Sequence, residues 1–469
     1  MKKKIIVIGG GITGLSTAFR LQELINSKNL NYEITILEKS NRLGGVISTS
    51  LEDGFLIEMG PDSFITSKPW TIDLSKRLGL ENEIISTNEK NRNTYVLING
   101  ELIKIPYGFF MIAPTNLIQF LKSPLFSWKG KIRILMEPFI PKKNAEDESV
   151  ASFIERRLGK EALLKAADPL ISGIYTADSK ELSIKSTFPQ FLEYEKEYGS
   201  IIKGLKRSKN SYNYDPKASG ARYGLFCTFK DGMKTIVDKL QDKLTEADIN
   251  LLESAVKIEK IGDKWEIFTD KQKQYVAEGL IITSPSHTAL GLIHNIDPGL
   301  SDNLSAIECA SSAVVILGYN KKNVNNPIDG FGFVVPRSEK SNLIACSITS
   351  NKFNNRAPDG YILLRCFVGG VLNKPILNLE DKEIISKVHQ EISNILQIRG
   401  EAIFSKISRY DKSMPQYNVG HYKLVLLIKS QIDKLNGLEI AGNAYDGVGI
   451  PDCINSGEKA AESLITQLI

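Results

Sequence analysis

An apolar, β-branched run, Lys4-Ile5-Ile6-Val7-Ile8, breaks into Gly9-Gly10-Gly11-Ile12-Thr13-Gly14-Leu15, with glycines at G-x-G-x-x-G spacing, and a helical pattern follows through Arg20 and Leu24. The first glycine of such a turn allows a tight bend. The second lets the backbone approach a pyrophosphate, and the third brings the helix against the strand. Free N–H groups at the helix start then meet the phosphate charge. A second apolar run, Ile34-Thr35-Ile36-Leu37, ends at Glu38, at the distance where an acid takes a ribose hydroxyl. A carboxylate there suits a free 2′-hydroxyl, so FAD or NAD is expected rather than NADP. The glycine spacing alone is a weak signal, but here it has the strand, the helix and the acid that the motif requires.

A chain of 469 residues is too long for one core, and two or three domains are expected. Its 42% hydrophobic and 24% charged residues are those of an ordinary soluble globular protein. A net charge of +5 is small at this size and gives nucleic-acid binding no support. Cys227, Cys309, Cys346, Cys366 and Cys453 form no C-x-x-C pair, and His287, His294, His389 and His421 are dispersed. Neither a metal site nor a disulfide framework is expected, and a reducing cytoplasm fits. The N-terminal lysines precede a run too short, and too interrupted by glycine, for a signal peptide. No stretch reaches the ~18 apolar residues of a membrane span.

Two parallel strands make no stable sheet, so the nucleotide-binding unit must be completed from later segments. Residues 255–261 and 264–269 alternate across Gly262-Asp263 as a hairpin, and Gly279-Leu280-Ile281-Ile282-Thr283 reads as a buried strand. Gly437-Leu438-Glu439-Ile440-Ala441-Gly442 is another strand, followed by a helix from Pro451 to Leu468. Between these lie β-rich runs at 313–317 and 361–367, a charged helix from Asp381 to Leu396, and a helix starting at Ser149-Val150 that Gly159 stops. The expected class is α/β (α+β overall). A discontinuous Rossmann-like domain (1–48, 225–297, 431–469) would carry the cofactor. A β-rich substrate domain (49–86, 208–224, 298–430) and a mainly helical insertion (87–207) would complete the chain.

Glycine clusters recur beyond the ribose acid, in Arg42-Leu43-Gly44-Gly45, Met59-Gly60-Pro61-Asp62-Ser63 and Gly447-Val448-Gly449-Ile450-Pro451. A flavin cofactor, running on past the pyrophosphate, needs such close backbone approach. The last cluster would place a helix N-terminus near the flavin pyrimidine, where its positive end stabilises the reduced ring.

The ordered set G-G-G-I-T-G-L, E-K-x-x-R-L-G-G, M-G-P-D-S-F, P-L-I-S-G-I-Y, S-T-F-P-Q-F, Met414-Pro415-Gln416-Tyr417 with Gly420-His421, and G-V-G-I-P-D-C resembles the flavin-dependent porphyrinogen oxidases of haem biosynthesis. The resemblance runs along the whole chain and is strongest to the Gram-positive form, which acts on coproporphyrinogen III. Mitochondrial and plant relatives act on protoporphyrinogen IX. The resemblance implies an architecture like that of flavin amine oxidases and an FAD oxidase that removes six electrons in three rounds, with molecular oxygen giving hydrogen peroxide. FAD contacts would fall on Gly9 to Leu15, Glu38, Lys39, Arg42, Gly44, Gly45, Gly60 to Ser63, Val256 and Gly447 to Ile450. Tyr410, where relatives carry tryptophan, would be a further flavin contact. Flavin N5 would take the hydride, and no catalytic side chain is named.

A porphyrinogen is a large apolar macrocycle with acidic propionates, so its pocket should be wide and apolar with cations at the rim. Lys68 and Arg92 are the candidate cations by similarity, with Ser172, Gly173 and Tyr175 as lining. The stretch Ile103 to Arg133 sets Tyr107, Phe109, Phe110, Phe120, Phe126 and Trp128 beside Lys104, Lys122, Lys129, Lys131 and Arg133, with no acid. Two readings stay open: a core helix with a solvated basic edge, or peripheral contact with a membrane, the corresponding region in membrane-bound relatives being the membrane-docking domain. Whether the chain is a monomer or a homodimer is also open.

Overall fold

The computed structural model describes residues 2–90, 92–110, 113–143, 145–208 and 226–469. Residues 209–225, placed mostly with the substrate domain by the sequence reading, lie outside the described residues.

Five parallel strands form the nucleotide-binding sheet, in the order Ala247–Leu251, Tyr32–Glu38, Lys3–Ile8, Gly279–Ile282, Leu438–Ile440. Both faces are covered, which is why the strands read as unbroken apolar runs. With side chains alternating in direction, Ile5, Val7, Ile34, Ile36 and Ile281 meet the helices Ile12–Ser27 and Ile450–Leu468. Ile6, Ile8, Leu37, Leu280 and Ile282 meet the antiparallel meander 255–277 and the helices Ser286–Ile293 and Pro298–Ser305. Strand order reverses at Lys3–Ile8, and the crevice at the carboxyl ends beside such a reversal is where an open α/β sheet binds its ligand.

A seven-stranded mixed sheet runs Phe404–Pro415, Cys309–Asn320, Tyr361–Gly369, Leu343–Ile348, Gly330–Val334, Asn93–Ile98, Glu101–Lys104. One face rests on the helix Asp381–Leu396 through Ile384, Val388, Ile392 and Leu396, a stripe at helical spacing. A capping box between Glu380 and Glu383 starts that helix, as an acidic first turn should. The other face packs on Phe55 and Ile57 and on the helical body. The latter is built on Phe109, Phe120, Phe126, Phe153 and Phe191, with Arg157 and Glu137 fully buried as an ion pair.

The structure moves three boundaries. Residues 93–104, expected in the helical insertion, are the edge strands of the large sheet, because Asn93–Ile98 pairs with a strand more than 200 residues later. Phe64, Leu74, Leu78 and Leu80, expected in the substrate domain, bury into the nucleotide-binding core, and Phe64–Ile65 and Ile84–Ser86 pair with Phe226–Phe229. The helix His421–Ile432 joins that domain too, through Val425, Ile428 and Ile432. In each case the pairing or packing partner is remote in sequence, so local pattern carries no sign of it.

Candidate active site

The cradle is mostly backbone. Gly9 accepts the turn at φ 110° and donates its N–H to the Leu37 carbonyl at 2.9 Å. Gly14 is pressed on that turn, and a Cβ there would lie 1.9 Å from the Gly9 oxygen. Gly11 caps the helix without a side-chain hydrogen bond, and the first turn, with Ile12, Thr13 and Leu15, carries no acid. The orphan N–H groups of that turn are thus left for an anion. Glu38 is buried and held by three donors: the Gly10 amide at 2.7 Å, the Ser40 amide at 2.8 Å and the Ser40 hydroxyl at 2.7 Å. A carboxylate so fixed has lone pairs to spare for ribose hydroxyls and would repel a ribose phosphate.

The later glycines meet this cradle. The Gly44 amide donates to the Gly10 carbonyl at 2.8 Å, and Gly45 lies over Gly11. Arg42 spends its guanidinium on the carbonyls of Leu43, Gly45 and Ile47, so it straps this loop from outside, while Lys39 is exposed. Val256 is the residue passed over where the strand register shifts between Ala255 and Lys257, so it forms no ladder pair. Its strand is tied to the ribose acid, since the amides of Leu252 and Glu253 donate to the carbonyls of Ser40 and Glu38 at 2.9 Å each. Gly60 must approach Val46 closely, because a Cβ would sit 1.8 Å from its carbonyl oxygen. Pro61, Asp62 and Ser63 follow, with the Ser63 hydroxyl on Asp62 at 2.7 Å. Tyr410 reaches this loop by donating its phenol to the Met59 carbonyl, so it holds the loop from behind. Ile450 opens the last helix after Gly447 and Gly449, again with no side-chain cap. These residues fit a pyrophosphate, a ribose and an extended ring system.

One ion pair bears on two expectations. The first turn of Ile450–Leu468 carries Asp452, whose carboxylate takes the Lys68 ammonium at 2.6 Å. The positive helix end is thus partly offset by an acid, and Lys68, expected to hold a propionate, is engaged within the protein. Arg92, half-buried, precedes the strand Asn93–Ile98 and acts electrostatically on Cys227.

An apolar wall adjoins the last glycine cluster: Tyr175, Val334, Ala345, Phe367 and Val448 join one hydrophobic cluster. Gly173 faces it at the helix Asp168–Tyr175, where an added Cβ would lie 3.5 Å from Val334 and 3.7 Å from Ala345. Ser172, by contrast, is buried in that helix with its hydroxyl toward the Ala177 carbonyl at 3.3 Å, so it braces the helix end. Burial, with the charge of Asp452, raises the Tyr175 phenol. Burial likewise raises Tyr417, whose hydroxyl donates to the Asn443 carbonyl at 2.5 Å. His421 stacks on Tyr417 at 4.1 Å, and burial pushes its pKa down to about 4, so the imidazole is neutral. Val334, Ala345 and Phe367 escaped the sequence reading, because an apolar residue in an alternating strand does not reveal which face meets a ligand.

The family model for flavin containing amine oxidoreductases matches residues 12–465. The coproporphyrinogen III oxidase of Bacillus subtilis is 35% identical, covering 100% of this chain and 99% of its own length. That of Staphylococcus aureus is 34% identical, with both chains covered in full (100%). A solved structure from Exiguobacterium, assigned as a protoporphyrinogen oxidase, superposes with a TM-score of 0.87 at 28% identity, covering 100% of this chain and 99% of its own. The glycine cradle, the buried ribose acid and these full-length matches agree: the chain belongs to the flavin containing amine oxidoreductases and, within them, to the FAD-dependent porphyrinogen oxidases of haem biosynthesis.

Proposed function

We propose that the chain oxidises coproporphyrinogen III to coproporphyrin III in three two-electron rounds, with oxygen as the final acceptor. What carries this reading is the apolar wall of Val334, Ala345, Phe367 and Val448 standing beside the last glycine cluster of the cradle. Bound FAD supplies the electron sink for each round. The residues of the chain position and enclose. The apolar wall takes the macrocycle and excludes water, while Gly173 keeps room opposite Val334. Tyr175 and Tyr417, both held protonated by burial, offer neutral groups within the same cluster. Arg92 takes a propionate at the rim, as does Lys68 where Asp452 releases it. The pyrrole N–H groups shed their own protons, so no strong side-chain base is required. Competition between coproporphyrinogen III and protoporphyrinogen IX, read as porphyrin fluorescence, tests the reading: a higher kcat/KM for the copro form is expected, and no oxidation of either would end it.

A second aspect of the reading is peripheral membrane contact, and helix Trp128–Leu135 favours it. Phe109, Phe120 and Phe126 are core, and the side chain of Phe110 lies outside the described residues. Lys131, expected on a solvated basic edge, is buried, with its ammonium on the Leu121 carbonyl at 2.8 Å and over the Trp128 ring. Trp128, Ile132 and Met136 nevertheless share one helical face and are at least half exposed, with Phe139 at 83% just beyond. Such a face, beside exposed Lys129, suits an anionic bilayer surface. No helix among the described residues is long and apolar enough to cross a membrane. Co-sedimentation with anionic vesicles should fall for Trp128→Ser with Phe139→Ser, and absence of any retention by the parent protein would remove this aspect.

A further inference from the structure

The large sheet buries charges that neither the cradle nor the chamber wall requires. Lys352 and Arg365 each expose only 3% of their side chains. Arg365 interrupts the apolar run Tyr361-Ile362-Leu363-Leu364 in a central strand, where an unpaired charge would be costly. Both reach one loop. The Lys352 ammonium donates to Asp62 at 2.7 Å and to the Ser63 hydroxyl at 2.8 Å, while lying over the Phe226 and Phe353 rings. Arg365 donates to the Gly60 carbonyl and stands 3.4 Å from the other Asp62 oxygen. Two buried cations therefore share one carboxylate at contact distance. The nearby buried acid, Glu58, gives its oxygens to Thr49 and to the Met233 amide, and Arg356 adds a third buried cation within its field. Lys352 and Arg365 thus stand directly behind residues 60–63, where both contact Asp62, and Gly60 closes on Val46 next to the Gly44–Gly45 turn.

We propose that Lys352 and Arg365 are positioning residues for the flavin: they pin the 60–63 loop against the cofactor, and the positive charge they place behind that loop raises the reduction potential of the bound ring. A preorganised cation in a dry site favours the electron-rich reduced form without any rearrangement during turnover. The inference rests on the FAD reading, which flavin uptake by the parent protein tests separately; the variants below test the inference once that uptake is seen.

The test is the midpoint potential and FAD dissociation constant of Lys352→Met, Lys352→Arg and Tyr410→Phe holoproteins. Lys352→Met should weaken FAD binding and disfavour reduction by roughly tenfold each, the latter about 30 mV for a two-electron couple. Lys352→Arg keeps the charge and should restore both. Tyr410→Phe removes a loop contact but no charge, so affinity falls and the potential stays. If Lys352→Met does not fold, Lys352→Gln, which still donates to Asp62, is measured against the same expectations. An unchanged potential in the neutral variant, or an equal loss in Lys352→Arg, overturns the proposal.

Discussion

The cradle and the chamber are built from different materials. The cradle is mostly backbone: amides at a helix start, carbonyls in turns, and glycines where no Cβ fits, with Glu38 a buried carboxylate held by backbone and hydroxyl donors. The chamber proposed for the substrate is walled by side chains brought together from Tyr175, Val334, Ala345, Phe367, Tyr417 and Val448, spread over nearly 300 residues, with Gly173 facing them. A backbone requirement is written as a residue type at a fixed spacing and tolerates no substitute. A side-chain wall needs only apolar volume, which many sequences supply. Cofactor binding should therefore fail sharply at single positions, whereas substrate recognition should erode by degrees.

That contrast can be broken at Gly14. Gly14→Val places carbon where the Gly9 oxygen already stands, so flavin retention should be abolished, read as flavin absorbance per purified protein. A yellow, folded Gly14→Val protein would show the cradle to be as forgiving as the chamber. Glu38→Gln is the next largest effect. Losing the charge-assisted hydrogen bonds of a buried carboxylate costs about 1.5–3 kcal/mol, so the FAD dissociation constant should rise roughly ten- to a hundredfold by fluorescence titration.

Gly173→Leu sharpens the other side. Overfilling costs about 1–3 kcal/mol, so kcat/KM for coproporphyrinogen should drop about tenfold with FAD affinity unchanged. A loss of flavin instead would mean that Gly173 belongs to the cradle. The last effect concerns stability rather than binding or turnover. The folded pKa of His421, about 4, lies below its ordinary 6.5, because burial penalises the charged ring. The unfolded chain then binds more protons between these values, so stability is full above pH 6.5 and is lost as pH falls to 4, by up to about 3 kcal/mol. His421→Phe keeps a ring on Tyr417 and should flatten that slope in denaturant melts across the same window.

The same division explains what could be read from residues alone. The glycine turn, Glu38 and the helix Asp381–Leu396 were legible because their patterns are local: a spacing, a distance along the chain, a period. The edge strands 93–104 were not, since an edge pairing with residues 330–334 is a tertiary fact. Lys131 reads as a surface cation among other lysines, and only the fold shows its stem crossing Trp128 to a carbonyl. Lys68 likewise reads as a free cation until Asp452 arrives from the far end of the chain. Arg365 carried a usable signal, a charge inside an apolar strand, which marks a buried partner even when the partner is unknown.

The central claim is that the cradle and the chamber serve one reaction. Anaerobic titration of the FAD-loaded protein with coproporphyrinogen III tests it most directly. The account predicts bleaching of the flavin spectrum on addition, with porphyrin appearing once air is admitted. A flavin that stays oxidised under excess coproporphyrinogen would contradict it.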